Sequence, residues 1–88
     1  RDRNYPNPFN PQTTINYQLP SQGYVKITIY NMDGQLVRML VDGERDTGYY
    51  SVSWDGHDSG GREMATGLYL YRLEAEKFSQ VKKMVLLR

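Results

Sequence analysis

The chain has 88 residues, enough for one small domain, and its 11 Lys and Arg against 10 Asp and Glu give a formal charge of +1. This near-neutral charge argues against a nucleic-acid partner, because nucleic-acid-binding domains usually carry a strong basic excess. Without cysteine, the chain can form no disulfide, Cys-ligated zinc site or thiol nucleophile. No apolar run approaches the roughly 18–20 residues of a transmembrane segment. Stability therefore has to come from packing and backbone pairing in one core.

The first 12 residues differ from the rest of the sequence, because a proline stands at every second or third position from residue 6 to residue 11. Proline donates no backbone hydrogen bond and pushes the preceding residue toward an extended conformation. One interpretation is an interdomain linker stiffened by proline. The other is a segment docked on the domain through Tyr5 and Phe9. We therefore divide the chain into a proline-rich entry segment over 1–12 and a single domain over 13–88.

From residue 13 onward, apolar residues alternate with polar ones, which is typical of half-buried β-strands. The predicted strands cover residues 13–19, 23–30, 35–41, 49–55, 68–75 and 78–88. Short strands at this spacing, separated by polar and Gly-rich turns, indicate an all-β fold. We predict an antiparallel β-sandwich of about six or seven strands.

The second predicted strand separates inward from outward side chains most clearly. Its β-branched positions Val25, Ile27 and Ile29 are predicted to face the core. The positions predicted to face outward are Tyr24, Lys26, Thr28 and Tyr30. In the fourth predicted strand, Trp54 is the expected centre of the core.

The third predicted strand is less regular than the others. Its apolar stretch LVRMLV, residues 36–41, does not alternate strictly, which indicates a bulge or burial on both faces. The Asp33-Gly34 step before it is typical of a tight hairpin, because both residues tolerate positive φ. Residues 42–48 are predicted as a polar connection and residues 56–62 as a Gly-rich loop.

The sequence offers little for catalysis. Its single histidine, His57, lies between Asp55 and Asp58, and the three residues suggest an acid–base or metal site at first sight. A Gly-rich loop holds such groups poorly, however, and this one lacks the ligand order of an EF-hand calcium loop. Glu74 and Glu76 are expected on a charged rim. We therefore expect no enzyme, no catalytic residue, no cofactor and no metal site, with Asp55 bonding its own turn.

Three tyrosines predicted to face solvent suggest a binding role. Tyr24, Tyr30 and Tyr49 could form an aromatic platform for carbohydrate or for a neighbouring domain, as in an accessory binding module. The alternative is that each ring packs across its strand against a neighbour, as surface tyrosines commonly do.

Positive charge is concentrated in the last part of the sequence. Residues 72–88 contain five basic and two acidic residues, a charge of +3, whereas residues 1–71 contain six basic and eight acidic residues, a charge of −2. One interpretation is that lysines protect an edge strand from pairing with other chains. The other is a basic recognition surface that a partner protein reads.

Several motifs resemble those of a known family. They are NYPNPFNP at residues 4–11, TINYQLP at 14–20, YNMDGQLVR at 30–38, and the later motifs at 48–50, 54–56, 67–69 and 83–87. In this order and spacing they resemble the type A C-terminal sorting domain of type IX secretion (Por secretion) cargo. The pattern is also similar to that of the Ig-like domain of the flagellar hook-capping protein. Both resemblances imply an Ig-like β-sandwich.

The sorting-domain resemblance implies a function in protein targeting. Such a domain ends a larger cargo protein and directs it across the outer membrane of Gram-negative bacteria, so the product is secreted or attached to the cell surface. The implied partners are the outer-membrane secretion machinery, a sortase-like peptidase and an N-terminal cargo domain of the same chain. The domain is expected to be a monomer.

The same resemblance assigns the residues that the machinery would recognise. They are Gly67, Tyr69, Lys82, Lys83, Met84, Val85, Leu86, Leu87 and Arg88. A basic final strand is suited to this role, because it can be offered to a receptor by strand pairing or by charge without dismantling the core.

Overall fold

The computed structural model describes residues 13–88 and contains six strands over that range. These are β1 (Thr13–Leu19), β2 (Gly23–Asn31), β3 (Leu36–Arg45), β4 (Gly48–Trp54), β5 (Gly67–Ala75) and β6 (Ser79–Leu86). No helix in this part of the chain is long and apolar enough to cross a membrane. The entry segment over 1–12, with the predicted docking of Tyr5 and Phe9, lies outside the described residues.

The strands form two antiparallel sheets packed face to face. One sheet has two strands in the order β1-β4, and the other has four strands in the order β3-β2-β5-β6. Every pairing is antiparallel, from β1 with β4 to β5 with β6. The all-β prediction and the predicted Ig-like antiparallel sandwich are therefore confirmed, with six strands in the described range.

The core lies between the two sheets and is built from alternate positions of each strand. Its largest fully buried side chains are Trp54, Ile27, Ile29, Leu86 and Val25. The inward prediction for β2 is confirmed, since Val25, Ile27 and Ile29 are fully shielded from solvent.

Neighbouring strands cover the outward-facing side chains of β2 more than the alternation alone predicts. Thr28 is only 5% exposed, because β2 lies inside the sheet and the cross-strand partners of Thr28 are the long side chains of Met39 and Arg72. Tyr30 is half-buried, and the guanidinium carbon of Arg72 lies 5.5 Å from the centre of its ring. Such a cation–π contact covers one face of an aromatic ring.

The irregular pattern of the third strand has its origin in bulges. The register with β2 shifts twice, so that Val37 and Leu40 each stand as an extra residue in β3. At one bulge, Leu40 and its neighbour Val41 both turn toward the core: Val41 is buried, and Leu40 packs against the core cluster. Val37, the other extra residue, is buried as well. The predicted bulge is therefore confirmed.

The predicted polar connection over 42–48 was largely wrong, because β3 continues to Arg45. The start of β2 supplies partners for this extension, from Lys26 opposite Asp42 to Gly23 opposite Arg45. Backbone pairing with a long neighbouring strand thus outweighs the polar composition of the segment. The other predicted strands end within two residues of the observed bounds.

The hairpin between β2 and β3 closes as predicted from the Asp-Gly step. Asn31 accepts a backbone hydrogen bond from Gly34 N at 3.0 Å, and its side-chain Oδ1 accepts from the N–H groups of Asp33 and Gln35. Gly34 has φ = 86°, in the left-handed region that glycine adopts without steric cost.

Trp54 joins the two sheets. It belongs to β4, and its indole ring meets the ring of Tyr69 on β5 edge to face, with centroids 5.1 Å apart. Its Nε1 donates a hydrogen bond to the His57 carbonyl oxygen at 2.8 Å, so the buried polar group is satisfied. The predicted place of Trp54 in the core is confirmed.

We expect Gly34→Ala to lower the free energy of unfolding by about 1 kcal/mol, because an L-residue is strained at positive φ. Among the described residues no atom lies within 4 Å of a Cβ added at Gly34, so the loss would come from the backbone alone. Urea denaturation followed by circular dichroism measures it. Gly60→Ala is the control, since its Cβ would make an ordinary contact 3.5 Å from Asp58 Oδ1. Equal stability of the two variants would contradict the prediction.

Candidate functional site

The candidate site is β6, which forms one edge of the four-stranded sheet. Within residues 13–88, β6 pairs only with β5. Ala75 N donates to the Phe78 carbonyl oxygen, so Ala75 and Phe78 form a hydrogen-bonded pair. Such pairs alternate along an antiparallel ladder. The even-numbered residues of β6 therefore direct their backbone groups toward the odd-numbered residues of β5. The odd-numbered residues of β6 therefore direct their backbone groups away from the sheet. One of these groups, the Val85 carbonyl, accepts a hydrogen bond from Thr13 Oγ1 at 3.2 Å.

Lysines flank this free edge on both faces of the sheet. Lys82 lies opposite Tyr71, on the inner face, and Lys83 lies opposite Leu70, on the outer face. Both lysines are exposed, although Lys82 has the same parity as the buried Met84 and Leu86. Lys82 therefore remains in solvent on the inner face, next to the core positions of β6.

On the outer face, exposed apolar side chains lie on either side of Lys83. Val85 is 50% exposed and lies directly opposite Leu68, which is 48% exposed. Val81 and Leu87 are also exposed large hydrophobic residues. A cross-strand apolar pair left half in solvent is more typical of an interaction surface than of a free face. We call Val81, Lys82, Lys83, Val85 and Leu87, together with the free backbone edge, the β6 edge surface.

Several of the residues predicted for recognition lie in the core instead of on this surface. Tyr69, Met84 and Leu86 are 7%, 8% and 1% exposed. The Tyr69 hydroxyl donates to the Ala65 carbonyl oxygen at 2.7 Å, which fixes the ring against Trp54. Gly67 begins β5 opposite Leu86. In the folded domain, a partner could therefore contact mainly the exposed members of the predicted set.

Arg88 has a structural contact that the sequence did not predict. Its backbone N donates to Thr66 Oγ1 at 3.0 Å, and its guanidinium donates to the carbonyl oxygens of Met64 and Gly56. Nη1 also lies 3.6 Å from Glu63 Oε2, and the side chain is only 21% exposed. Gly56 leaves the room for this contact, because a Cβ there would lie 2.8 Å from Nη2. Arg88 therefore holds the end of β6 against the loop that precedes β5.

The carboxylates of this loop form turns. Asp55 Oδ1 accepts hydrogen bonds from His57 N at 3.0 Å and from Arg38 Nη1 at 2.8 Å. Burial alone would raise the pKa of Asp55, but the bond from the His57 N–H and the charge of Arg38 outweigh it, so this pKa lies below its ordinary value. Asp58 accepts in the same way from the Arg62 and Gly60 N–H groups, which lowers its pKa as well.

These contacts explain the Asp-His-Asp pattern of the sequence. Each carboxylate accepts from backbone N–H groups of its own turn, as predicted for Asp55. Asp55 also pairs with Arg38 of β3, and Asp58 pairs with Arg62 of its own turn. Over residues 13–88, no three His, Cys, Asp or Glu side chains come together in a way that could hold a metal ion.

The three tyrosines predicted as a platform do not share one face. Tyr24 and Tyr30 lie on the outer face of the four-stranded sheet, and Tyr49 lies on the outer face of the two-stranded sheet. The Tyr24 hydroxyl donates to Asp42 Oδ1, which raises the pKa of this tyrosine. Tyr24 is 44% exposed and Tyr49 is 83% exposed. Only Tyr49 therefore presents most of its ring to solvent.

We expect Arg88→Ala to cost about 1 kcal/mol of stability, because the carbonyl oxygens of Met64 and Gly56 lose a charged donor. Lys83→Ala is the control, and its effect should stay within about 0.5 kcal/mol, as for most surface substitutions. Thermal and urea denaturation measure both. If Arg88→Ala proved as stable as Lys83→Ala, the anchoring contact would contribute nothing.

The lowered pKa of Asp55 predicts a pH-dependent contribution to stability. This contribution is present above the unfolded-state pKa of about 3.9 and is lost as the pH falls through the lower pKa of the folded state. Asp55→Asn should therefore be less stable than the parent chain at pH 7, and the difference should shrink as the pH falls below about 4. Urea denaturation as a function of pH tests this. Asp46→Asn, at the opposite end of β4, is the control, and a constant Asp55→Asn difference across the range would refute the expectation.

Comparison with known proteins places the chain in a family and confirms its fold. No match was found among curated proteins. Among solved structures, FlgD from P. aeruginosa is 23% identical with a TM-score of 0.66, over 85% of this chain and 59% of that one. FlgD from Xanthomonas campestris is 24% identical with a TM-score of 0.67, and the match covers 88% of this chain and 56% of that one. Latent PorU from Porphyromonas gingivalis is 24% identical with a TM-score of 0.65, and the match covers 92% of this chain and 8% of that one.

At these identities the three structures support the fold alone, and the chain spans less than two thirds of the length of each. The family model of the FlgD Ig-like domain matches residues 7–79 and thus ends where β6 begins. Because this match covers most of the sequence, the chain belongs to the FlgD Ig-like domain family.

Proposed function

We propose that this domain is a non-enzymatic C-terminal targeting domain that directs a larger cargo protein across the outer membrane by type IX secretion, with release or attachment at the cell surface. The observation that carries the proposal is the β6 edge surface, which among residues 13–88 pairs with no strand other than β5 and carries a lysine on each face. The proposed partners are the secretion machinery, a sortase-like peptidase and the N-terminal cargo, with the domain acting as a monomer.

Recognition would proceed by addition of a receptor strand to β6. Ser79, Val81 and Lys83 direct backbone N–H and C=O groups away from β5, and these groups can pair with an incoming strand. Lys82 and Lys83 favour a receptor strand with acidic side chains on both faces. Val81 and Val85 favour apolar side chains on its outer face.

The mode of anchoring supports recognition of the folded domain. Met84 and Leu86 fix β6 to the core by burial, and Arg88 fixes its end to the loop at Gly56 and Met64. The first half of β6, from Ser79 to Lys83, is exposed on both faces. A receptor strand can therefore pair with this half without displacing any buried side chain.

A second candidate function follows from the family. The structure of the Xanthomonas campestris relative is described in terms of hook capping in flagellar assembly. A domain of the FlgD Ig-like family could accordingly serve as a subunit-contact module in a cap-like assembly. The match to the family ends at residue 79, whereas the β6 edge surface follows it, so variants in β6 separate the two candidates.

To test the proposal, residues 1–88 are fused to the C-terminus of a periplasmic reporter in a type IX-competent host. We expect the reporter outside the cell in the wild-type fusion. The doubly charge-reversed variant Lys82→Glu/Lys83→Glu should reduce export by about tenfold, because like charges across an interface oppose association. Lys26→Glu on β2 is the control and should not change export.

A second variant tests strand addition independently of charge. Val81→Pro removes an outward backbone N–H and leaves the bonds to β5 in place, since proline is tolerated at such an edge position. It should lower export, whereas Val81→Thr, which keeps the N–H, should not. Circular dichroism verifies that each variant is folded. A folded wild-type fusion that stays in the periplasm would refute the proposal, and restored hook assembly in a flagellar host would favour the second candidate.

A further inference from the structure

The outer face of the two-stranded sheet differs in composition from the outer face of the four-stranded sheet. Six exposed side chains alternate with buried ones along β1 and β4. They form three cross-strand pairs: Thr14 with Ser53, Asn16 with Ser51 and Gln18 with Tyr49. We call these six residues the β1–β4 outer face. Every one of them is polar or aromatic, and none is charged.

This lack of charge is unusual for two reasons. First, the outer face of the four-stranded sheet carries Lys26, Asp42, Glu44, Arg72 and Lys83, so charged residues are available elsewhere in the chain. Second, within the described residues β1 and β4 are both edge strands, and edge strands are usually protected by charged side chains. This face therefore offers a partner aromatic and neutral hydrogen-bonding groups and no charge.

Tyr49 provides an aromatic platform on this face. Its ring is 83% exposed, and a shallow depression beside it is lined by Asn16, Gln18 and Ser51, with Tyr17 and Tyr50 below. The next residue, Tyr50, holds the strand at Tyr49 in place through two contacts. Its ring stacks on that of Tyr17, with the centroids 5.2 Å apart. Its hydroxyl donates to the Asp46 carbonyl oxygen at 2.7 Å. A rigid backbone lets the exposed ring bind a ligand with little loss of entropy.

Amide and hydroxyl groups surround the ring. Asn16 and Gln18 each supply two N–H donors and a carbonyl acceptor, and Ser51 can donate and accept. Residues two apart on a strand are about 7 Å from each other on the same face, so these groups lie within one small ligand's width of Tyr49. Their geometry suits a molecule with an apolar face for the ring and many hydroxyl groups at its rim.

We propose that the β1–β4 outer face binds a neutral saccharide, with the C–H face of a pyranose ring stacked on Tyr49 and its hydroxyl groups bonded to Asn16, Gln18 and Ser51. None of the six residues of the β1–β4 outer face carries a positive charge that would favour a phosphate. The site is on the opposite sheet from the β6 edge surface, so it does not depend on the targeting proposal. It narrows the predicted tyrosine platform to Tyr49 and adds three polar residues to it.

Titration of the isotope-labelled 88-residue chain with cellotetraose, mannotetraose and N,N′,N″,N‴-tetraacetylchitotetraose, followed by amide chemical shifts, tests the proposal. We expect saturable shifts confined to residues 14–18 and 49–53 for at least one saccharide, with a Kd of about 0.1–5 mM, as is usual for a shallow open site. No such shifts with any of the three up to about 10 mM would overturn the proposal.

Matched variants separate stacking from general exposure. Tyr49→Ala should weaken binding at least about tenfold, whereas Tyr49→Phe, which keeps the ring, should stay within about threefold. Tyr24→Ala removes an exposed tyrosine from the opposite face and should change nothing. Equal loss in Tyr24→Ala and Tyr49→Ala would overturn the proposal. Shifts at residues 14–18 and 49–53 that depend on protein concentration without saccharide would assign the face to a second copy of the chain instead.

Discussion

The packing of Trp54 against the four-stranded sheet is the contact on which the sandwich depends. β1 and β4 form a two-stranded sheet, and such a pair is at best marginally stable in water unless its apolar face is covered. Trp54 provides this cover by burying its ring against Tyr69 of β5 and donating to the His57 carbonyl oxygen. Ile15 and Leu19 of β1 are 2% exposed in the same core. The two sheets are therefore stable only as a pair.

The domain leaves two different surfaces open. The inner face of β6 is buried at Met84 and Leu86 and open at Lys82. The β6 edge surface and the β1–β4 outer face lie on different sheets, one basic and partly apolar, the other neutral. A domain with two such surfaces could bind a protein partner and a neutral ligand at the same time without steric conflict.

Much of the fold could be predicted from the sequence, because alternation is a local signal. The β1 prediction matched the observed bounds, and Val25, Ile27 and Ile29 were placed correctly. The errors came from neighbours that the sequence does not reveal. Thr28 is covered by Met39 and Arg72 from adjacent strands, and residues 42–45 are strand because β2 is long enough to pair with them. The anchoring of Arg88 in a loop more than 20 residues upstream was likewise invisible.

The sequence by itself determined the class of fold, the two faces of most strands and the lack of any thiol chemistry, since these follow from residue type and a period of two. Only the tertiary structure decided the order of the strands in each sheet over residues 13–88, which lysine lies on which face, and that Tyr49 stands apart from Tyr24 and Tyr30. Sheet order and register result from pairing between distant segments, so exposure at one residue depends on side chains that are remote in the chain.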